Sequence, residues 1–129
     1  MIVLDAGVLI GFLDSSDAHH KAAVALLERN PTDYLVHPLT AAEILVGPAK
    51  RGVEDQVWRD LQGIGVQVAD LGSDEPLRLA RLRAEWGLKM PDTCVLATAE
   101  KYDTYLATFD HRLAGVASRT ALLISELSS

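Results

Sequence analysis

The hydrophobic pattern begins with a short apolar run that ends at a single carboxylate. Residues 2–4 are Ile-Val-Leu, and Asp5 follows them directly. A parallel strand that is buried on both faces shows a continuous apolar run, and open α/β sheets place their chemistry just beyond the carboxyl ends of the strands. The pattern therefore predicts a first strand over residues 2–4 and a functional position at Asp5.

Further apolar segments alternate with helical patterns along the rest of the chain. The pattern predicts strands at 34–37, 66–69, 104–108 and 121–124, helices at 18–29, 40–48, 53–62, 74–86 and 91–102, and short helical turns at 7–13 and 110–113. In particular, Pro38 is predicted to end the second strand and Thr40 to open the next helix. Strands separated by helices of these lengths imply βαβ units. We therefore expect an α/β three-layer sandwich with a five-stranded parallel sheet, formed by residues 1–129 as a single domain.

The composition is that of an ordinary globular protein, with 49% hydrophobic and 23% charged residues. The apolar run at the N-terminus is too short to span a membrane and lacks the basic flank and cleavage site of a signal peptide. Cys94 is the only cysteine, which makes a reducing compartment the default. The sequence thus favours a cytoplasmic protein without membrane association.

The net charge of −6 argues against a simple basic nucleic-acid binder. It does not exclude an enzyme that acts on nucleic acid. Carboxylates gathered to hold a divalent cation make a chain acidic before the charge of the cation is counted.

Four acids are predicted to lie at the same edge of the sheet. In a parallel sheet, the segment after each strand starts at one edge, and the helix that leads into the next strand starts there too. Asp5 and Asp110 follow strands one and four. Glu43 lies early in the helix after strand two, and Asp92 opens the helix before strand four. The acids are thus distant in sequence but predicted to be close in space.

Each acid also has a purely structural explanation. Residues 40–43, Thr-Ala-Ala-Glu, fit a capping box in which Glu43 returns a hydrogen bond to the helix start. Asp5, Asp92 and Asp110 suit helix caps or first turns. Together, however, four uncompensated carboxylates repel, and a divalent cation would relieve that repulsion. Oxygen donors without His or Cys suit Mg²⁺ or Mn²⁺, whose chemistry is the activation of water against phosphate esters.

Four sequence segments surround these acids. They are residues 3–10 (Val-Leu-Asp-Ala-Gly-Val-Leu-Ile), 42–45 (Ala-Glu-Ile-Leu), 90–99 (Met-Pro-Asp-Thr-Cys-Val-Leu-Ala-Thr-Ala) and 107–110 (Ala-Thr-Phe-Asp). In order and spacing the set resembles the PIN-domain nucleases, and among them the VapC-type toxins of toxin-antitoxin pairs. The resemblance covers essentially the whole chain.

The resemblance implies a metal-dependent endoribonuclease with a sheet of order 3-2-1-4-5. Its catalytic and metal-binding residues would be Asp5, Glu43, Asp92 and Asp110, with Mg²⁺ or Mn²⁺ as cofactor. Thr108 matches a position that helps to place the metal or its water. The implied partners are an RNA substrate, a second copy of the chain in a homodimer, and a cognate VapB-type antitoxin, in a larger toxin-antitoxin complex.

Several other positions have two interpretations. Lys89 is either a phosphate contact beside Asp92 or a solvated loop lysine. Arg78, Arg81 and Arg83 are interpreted as a solvated helix face rather than an RNA-binding one. His19 is interpreted as a helix-surface residue, and His37 has no predicted partner.

Two other functions stay open at this point. One is a phosphoacceptor receiver-like signalling module, which has a similar size, acidity and five-stranded parallel sheet. A receiver would need adjoining acids after strand one, whereas Asp5 has no acidic neighbour. The other is a non-catalytic PIN-like interaction domain, which the complete set of four acids disfavours.

Overall fold

The computed structural model describes residues 1–120, which contain four β-strands and seven α-helices. In chain order these are β1 (Ile2–Leu4), α1 (Ala6–Leu13), α2 (His20–Arg29), β2 (Tyr34–Val36), α3 (Pro38–Lys50), α4 (Glu54–Gly63), β3 (Val66–Val68), α5 (Glu75–Trp86), α6 (Met90–Lys101), β4 (Tyr105–Ala107) and α7 (His111–Arg119). The strand predicted at 121–124 lies outside the described residues.

The four strands form one parallel sheet in the order β3-β2-β1-β4. Leu4 of β1 is paired with Ala107 of β4, so that Asp5 and Thr108 follow at the same level. The parallel sheet is confirmed, and the observed order agrees with the order implied by the resemblance for these four strands. Receiver-like sheets have the order 2-1-3-4-5, which places the first strand beside the third. Here β1 lies between β2 and β4, so the receiver-like alternative is wrong.

Helices cover both faces of the sheet. Ile2 and Leu4 pack into a core formed with α1, α2, α3 and α4, whereas Val3 between them packs into a second core with α5, α6 and α7. Successive side chains of a strand point to opposite faces, and all three residues of β1 are buried. This arrangement confirms the predicted three-layer α/β architecture.

The start of α3 differs from the prediction in a way that matters for the site. The helix begins at Pro38, and the Nδ1 atom of His37 accepts a hydrogen bond from the Leu39 N–H at 3.0 Å. Proline is well suited to the first position of a helix because its missing N–H would have no helical partner there. Thr40 is therefore buried inside the first turn, and the capping-box interpretation of Glu43 is wrong.

Two other helices also depart from their predicted limits. α2 begins at His20 rather than residue 18, and the Asp17 carboxylate instead accepts a hydrogen bond from the His19 N–H within the preceding turn. α7 extends over nine residues, because Leu113 and Val116 give it a buried face that the short predicted turn ignored. No helix within residues 1–120 is both long and apolar enough to cross a membrane.

Candidate active site at the carboxyl edge of the sheet

Asp5 is fixed by hydrogen bonds on both sides of its carboxylate. It is the N-cap of α1, and its Oδ1 atom accepts from the Ala6 N–H at 2.8 Å. Its Oδ2 atom accepts from the Thr108 hydroxyl at 2.6 Å, and its own N–H donates to the Ala107 carbonyl at 3.0 Å. Asp5 is therefore held by the two central strands at once, in a single orientation.

Thr108 connects Asp5 to a second carboxylate. Its side chain is buried, and its Oγ1 atom also accepts a hydrogen bond from the Asp110 N–H at 3.0 Å. Asp110 is the N-cap of α7, with Oδ1 accepting from the Leu113 N–H at 2.9 Å. One threonine hydroxyl thus sets the spacing of the acids that follow β1 and β4.

Glu43 and Asp92 approach this edge from opposite helical layers. Glu43 lies one turn into α3 and is exposed, whereas Asp92 lies in the first turn of α6 and is partly buried. Behind Asp92, every residue of α6 from Thr93 to Ala99 is buried, which gives this carboxylate a rigid support. Within residues 1–120 neither carboxylate accepts a hydrogen bond, so both are free to bind a ligand.

Burial and mutual repulsion raise the pKa values of Asp5 and Glu43. Burial raises the pKa of Asp5, hydrogen bonds from Thr108 and Ala6 oppose the rise, and the charge of Asp110 adds to it. Burial also raises the pKa of Glu43, and the charge of Asp5 raises it further. The carboxylates therefore experience one another's charge.

The pKa of Asp92 is raised more strongly than those of Asp5 and Glu43. Its pKa is raised to about 6 by partial burial first and then by the charges of Asp110 and Asp5, with a smaller contribution from Glu43. Lys89, the N-cap residue of α6, is the one cation that lowers this pKa. All three other acids act on Asp92, so the four predicted residues share one electrostatic site.

The acids do not form a preassembled chelate. Within the described part of the chain, no group of three or more His, Cys, Asp or Glu side chains is arranged so that it could hold a metal ion. The donors are nevertheless all oxygens, and their mutual repulsion is of the kind that a hard cation relieves. Mg²⁺ commonly binds through one or two carboxylates and completes its shell with waters and substrate phosphates. The residues fit such an ion in that mode.

A groove of about 390 Å³ lies between α1 and α3, and Glu43 is the one candidate acid among the residues that line it. Glu43 lines it together with apolar and charged side chains, namely Ile10, Leu13, Asp14, Ile44, Gly47, Pro48 and Arg51. A larger cavity of about 660 Å³ lies near the start of β2 and contains none of the candidate site residues. The larger of these two cavities therefore does not coincide with the predicted site residues.

A buried polar network next to the site was not predicted. The Nε2 atom of His37 lies 3.0 Å from Oε2 of Glu75, and Arg78 donates to Oε1 of Glu75 at 2.8 Å. Arg78 also donates to the Ala97 carbonyl of α6 at 2.8 Å. The solvated-face interpretation is therefore wrong for Arg78, while Arg81 on the same helix is exposed. The three-residue spacing of Glu75 and Arg78 is the one signal in the sequence that could have indicated the pair.

Comparison with known proteins gives a family and similar folds. The sequence profile described as "PIN domain" matches residues 2–118. A toxin-antitoxin complex from Klebsiella pneumoniae contains a chain with 26% identity, a TM-score of 0.79 and 98% coverage of both chains. No curated protein gives a match.

Two further solved structures share the fold at lower identity. A VapC toxin from Mycobacterium tuberculosis, described as cleaving the sarcin-ricin loop, has 16% identity and a TM-score of 0.69, covering 90% of this chain and 95% of that one. A VapBC complex from Rickettsia felis, bound to a DNA fragment from its promoter, has 15% identity and a TM-score of 0.62, covering 96% and 98%.

Proposed function

Since the chain belongs to the PIN domain family, we propose that it is a metal-dependent endoribonuclease and the toxin of a toxin-antitoxin pair. The catalytic residues of this proposal are Asp5, Glu43, Asp92 and Asp110, and residues 1–129 form its single nuclease domain. The observation that carries the proposal is the geometry at Thr108, whose Oγ1 atom donates to the Asp5 carboxylate at 2.6 Å and accepts the Asp110 N–H at 3.0 Å. Burial and the charges of the three other acids raise the pKa of Asp92 at the same edge to about 6, which supports it. Carboxylates whose pKa values are raised by burial and by neighbouring charges are typical of functional sites.

The proposed cofactor is Mg²⁺ or Mn²⁺. Asp5 and Asp110 are the proposed direct ligands, because Thr108 holds them in a fixed relation, and Glu43 and Asp92 complete the negative site. A bound divalent cation would supply an activated water and stabilise negative charge on the leaving oxygen.

The remaining roles belong to residues around the acids. Thr108 orients the Asp5 carboxylate and, through its buried hydroxyl, the loop that carries Asp110. Lys89 is exposed and acts electrostatically on Asp92, which supports a contact with an RNA phosphate. The proposed role of Lys89 is a local contact with one phosphate, made once a bound divalent cation has offset the charge of the acids.

The proposed partners are an RNA substrate, a VapB-type antitoxin and a second copy of the chain. The similar Klebsiella and Rickettsia structures are toxin-antitoxin complexes, and the Mycobacterium toxin is described as cutting an RNA loop. Exposed apolar residues beside the groove at Glu43, namely Ile10, Leu13 and Val46, support a protein partner there. Cytoplasmic localisation is part of the same proposal.

A non-catalytic PIN-like interaction domain is the second candidate. The observation that favours it is that no three acids within residues 1–120 form a ready metal-binding group. A nuclease should cleave RNA and lose this activity when metal is chelated or an acid is replaced, whereas an interaction domain should not cleave RNA at all.

The test is RNA cleavage by the purified protein with Mg²⁺ or Mn²⁺, with chelator, and with Asp92→Asn. Asp55→Asn is a matched control, because Asp55 also lies in the first turn of a helix but is exposed and is not among the charges that shift the pKa of Asp5, Glu43 or Asp92. We expect cleavage that leaves 5′-phosphate and 3′-hydroxyl ends, and that chelator and Asp92→Asn abolish. Cleavage that survives chelator, or products with 2′,3′-cyclic phosphates, would contradict the proposal. No cleavage under any condition would favour the interaction domain.

A further inference from the structure

Beside the acids, two aromatic rings stack in a way that neither the fold nor the acids require. The rings of His19 and Phe109 have centroids 4.5 Å apart and an interplanar angle of 12°. Phe109 lies between Thr108 and Asp110 in sequence, so the stack is attached directly to the loop that forms the site.

Phe109 is a fixed base for this stack. Its side chain packs partly against the core on the α1–α4 side of the sheet. Its backbone is held from both sides, since Thr108 Oγ1 bonds Asp5 and the Asp110 N–H. The ring therefore extends from the short backbone segment that joins Thr108 to Asp110.

His19 is held over Phe109 by the turn between α1 and α2. Its N–H donates to Asp17 at 2.8 Å, and its carbonyl accepts from the Ala23 N–H at 2.9 Å. His20 further fixes the turn, with Nδ1 lying 2.8 Å from the Gly11 carbonyl. Although stacked, His19 is exposed, and its ring nitrogens have no hydrogen-bond partner within residues 1–120.

The geometry points to His19 and Phe109 as a stacking platform for one unpaired RNA base beside the phosphate that is cut. This inference rests on the proposed function and names how its substrate is held. Unpaired bases stack on aromatic side chains, including histidine, and such stacking tolerates any base. A chain with net charge −6 and four clustered acids gains little from Coulomb attraction to RNA, so a contact that does not depend on charge is needed.

The test uses a short single-stranded RNA of otherwise random sequence with 2-aminopurine at its centre. Binding is measured in an Asp5→Asn background, by anisotropy for affinity and by quenching of 2-aminopurine for stacking. We expect His19→Ala to weaken binding about 5- to 150-fold and to abolish quenching, since stacking contributes about 1–3 kcal/mol per base. His19→Tyr keeps a ring and should retain both signals.

Two more variants separate stacking from general effects. His111→Ala removes an exposed histidine next to Asp110 but outside the stack, and should change neither signal. Phe109→Leu keeps an apolar contact with the core while removing the lower ring, and should reduce quenching. If the parent binds RNA and His19→Ala binds and quenches equally, the inference is wrong while the proposed function stands. If the parent neither binds nor cuts RNA, both fail.

Discussion

The hydroxyl of Thr108 donates a hydrogen bond of 2.6 Å to the carboxylate of Asp5, across 103 residues of sequence. The same oxygen accepts the Asp110 N–H at 3.0 Å. Two acids from different strands are thus positioned by one buried hydroxyl. The charge-assisted bond to Asp5 is short and directional and fixes where that carboxylate points, whereas at Asp110 the hydroxyl holds the backbone and the Leu113 N–H orients the carboxylate.

Replacement of Thr108 should show how much RNA cleavage depends on the orientation of Asp5 and Asp110, because both acids remain in the chain. Thr108→Val conserves shape but removes the hydroxyl, so we expect RNA cleavage to fall about 10- to 100-fold, as is usual for residues that orient ligands. Unfolding free energy should fall by about 1–3 kcal/mol, because Asp5 and the Asp110 N–H lose their partner. Thr108→Ser retains the hydroxyl and should restore most of both quantities. Equal activity of the valine and serine variants would exclude the positioning role.

Asp5→Asn should abolish activity without damaging the fold. The side-chain oxygen of asparagine can still accept the Ala6 N–H, and asparagine is a good N-cap. Burial raises the pKa of Asp5, so the fold favours an uncharged side chain at this position, whereas the loss of one acceptor oxygen weakens the contact with the Thr108 hydroxyl or the Ala6 N–H. These effects oppose each other, and Tm should change by no more than about 4 °C. Cleavage should fall by about 100-fold or more, since charge stabilisation worth several kcal/mol is lost. Cleavage by this variant at the parent rate would show that the site is wrongly assigned.

The stability of the metal-free protein should fall as pH rises through the range set by Asp92. Its pKa is about 6 in the folded state and 3.8 ordinarily, so the folded state binds more protons between these values. Stability therefore decreases from about pH 4 to about pH 6 and loses nothing further from this group above that range. The raised pKa values of Asp5 and Glu43 act in the same direction.

Urea denaturation in chelator, for the parent and Asp92→Asn, isolates this effect. The variant should be more stable than the parent, with a difference that is small near pH 4 and largest above about pH 6. Asp55→Asn provides the control, and its difference from the parent should show no such rise. A difference for Asp92→Asn that stays constant with pH would contradict the raised pKa.

Arg78→Met should destabilise the protein through the buried network rather than through lost surface charge. Arg78 donates to both Glu75 and the Ala97 carbonyl at 2.8 Å, and Glu75 is only 7% exposed. We expect a loss of about 2–4 kcal/mol in unfolding free energy, because within residues 1–120 the Glu75 side chain keeps only His37 as a partner. Arg81→Met, on the exposed side of the same helix, should change it by less than about 0.5 kcal/mol. Equal losses in urea denaturation would mean that the network does not stabilise the fold.

The sequence by itself determined the architecture and the candidate acids. Continuous apolar runs such as residues 2–4, separated by helical periods, are sufficient to predict a parallel sheet covered on both faces. Strand direction then places Asp5 and Asp110 at one edge, because this reasoning needs only the order of the elements. The start of α3 could not be fixed this way, since Pro38 is compatible both with ending a strand and with opening a helix.

Only the tertiary structure decided which side chains touch. Residues such as Thr108 and Asp5, or His37 and Glu75, lie far apart in the chain and form hydrogen bonds only because strand register and helix packing bring them within 3 Å. A sequence pattern indicates which segments form helices or strands. A hydrogen bond requires a donor and an acceptor at a specific distance and angle, which only the packed structure defines. The stack of His19 on Phe109 has the same origin, because a turn and a strand end meet there through packing alone.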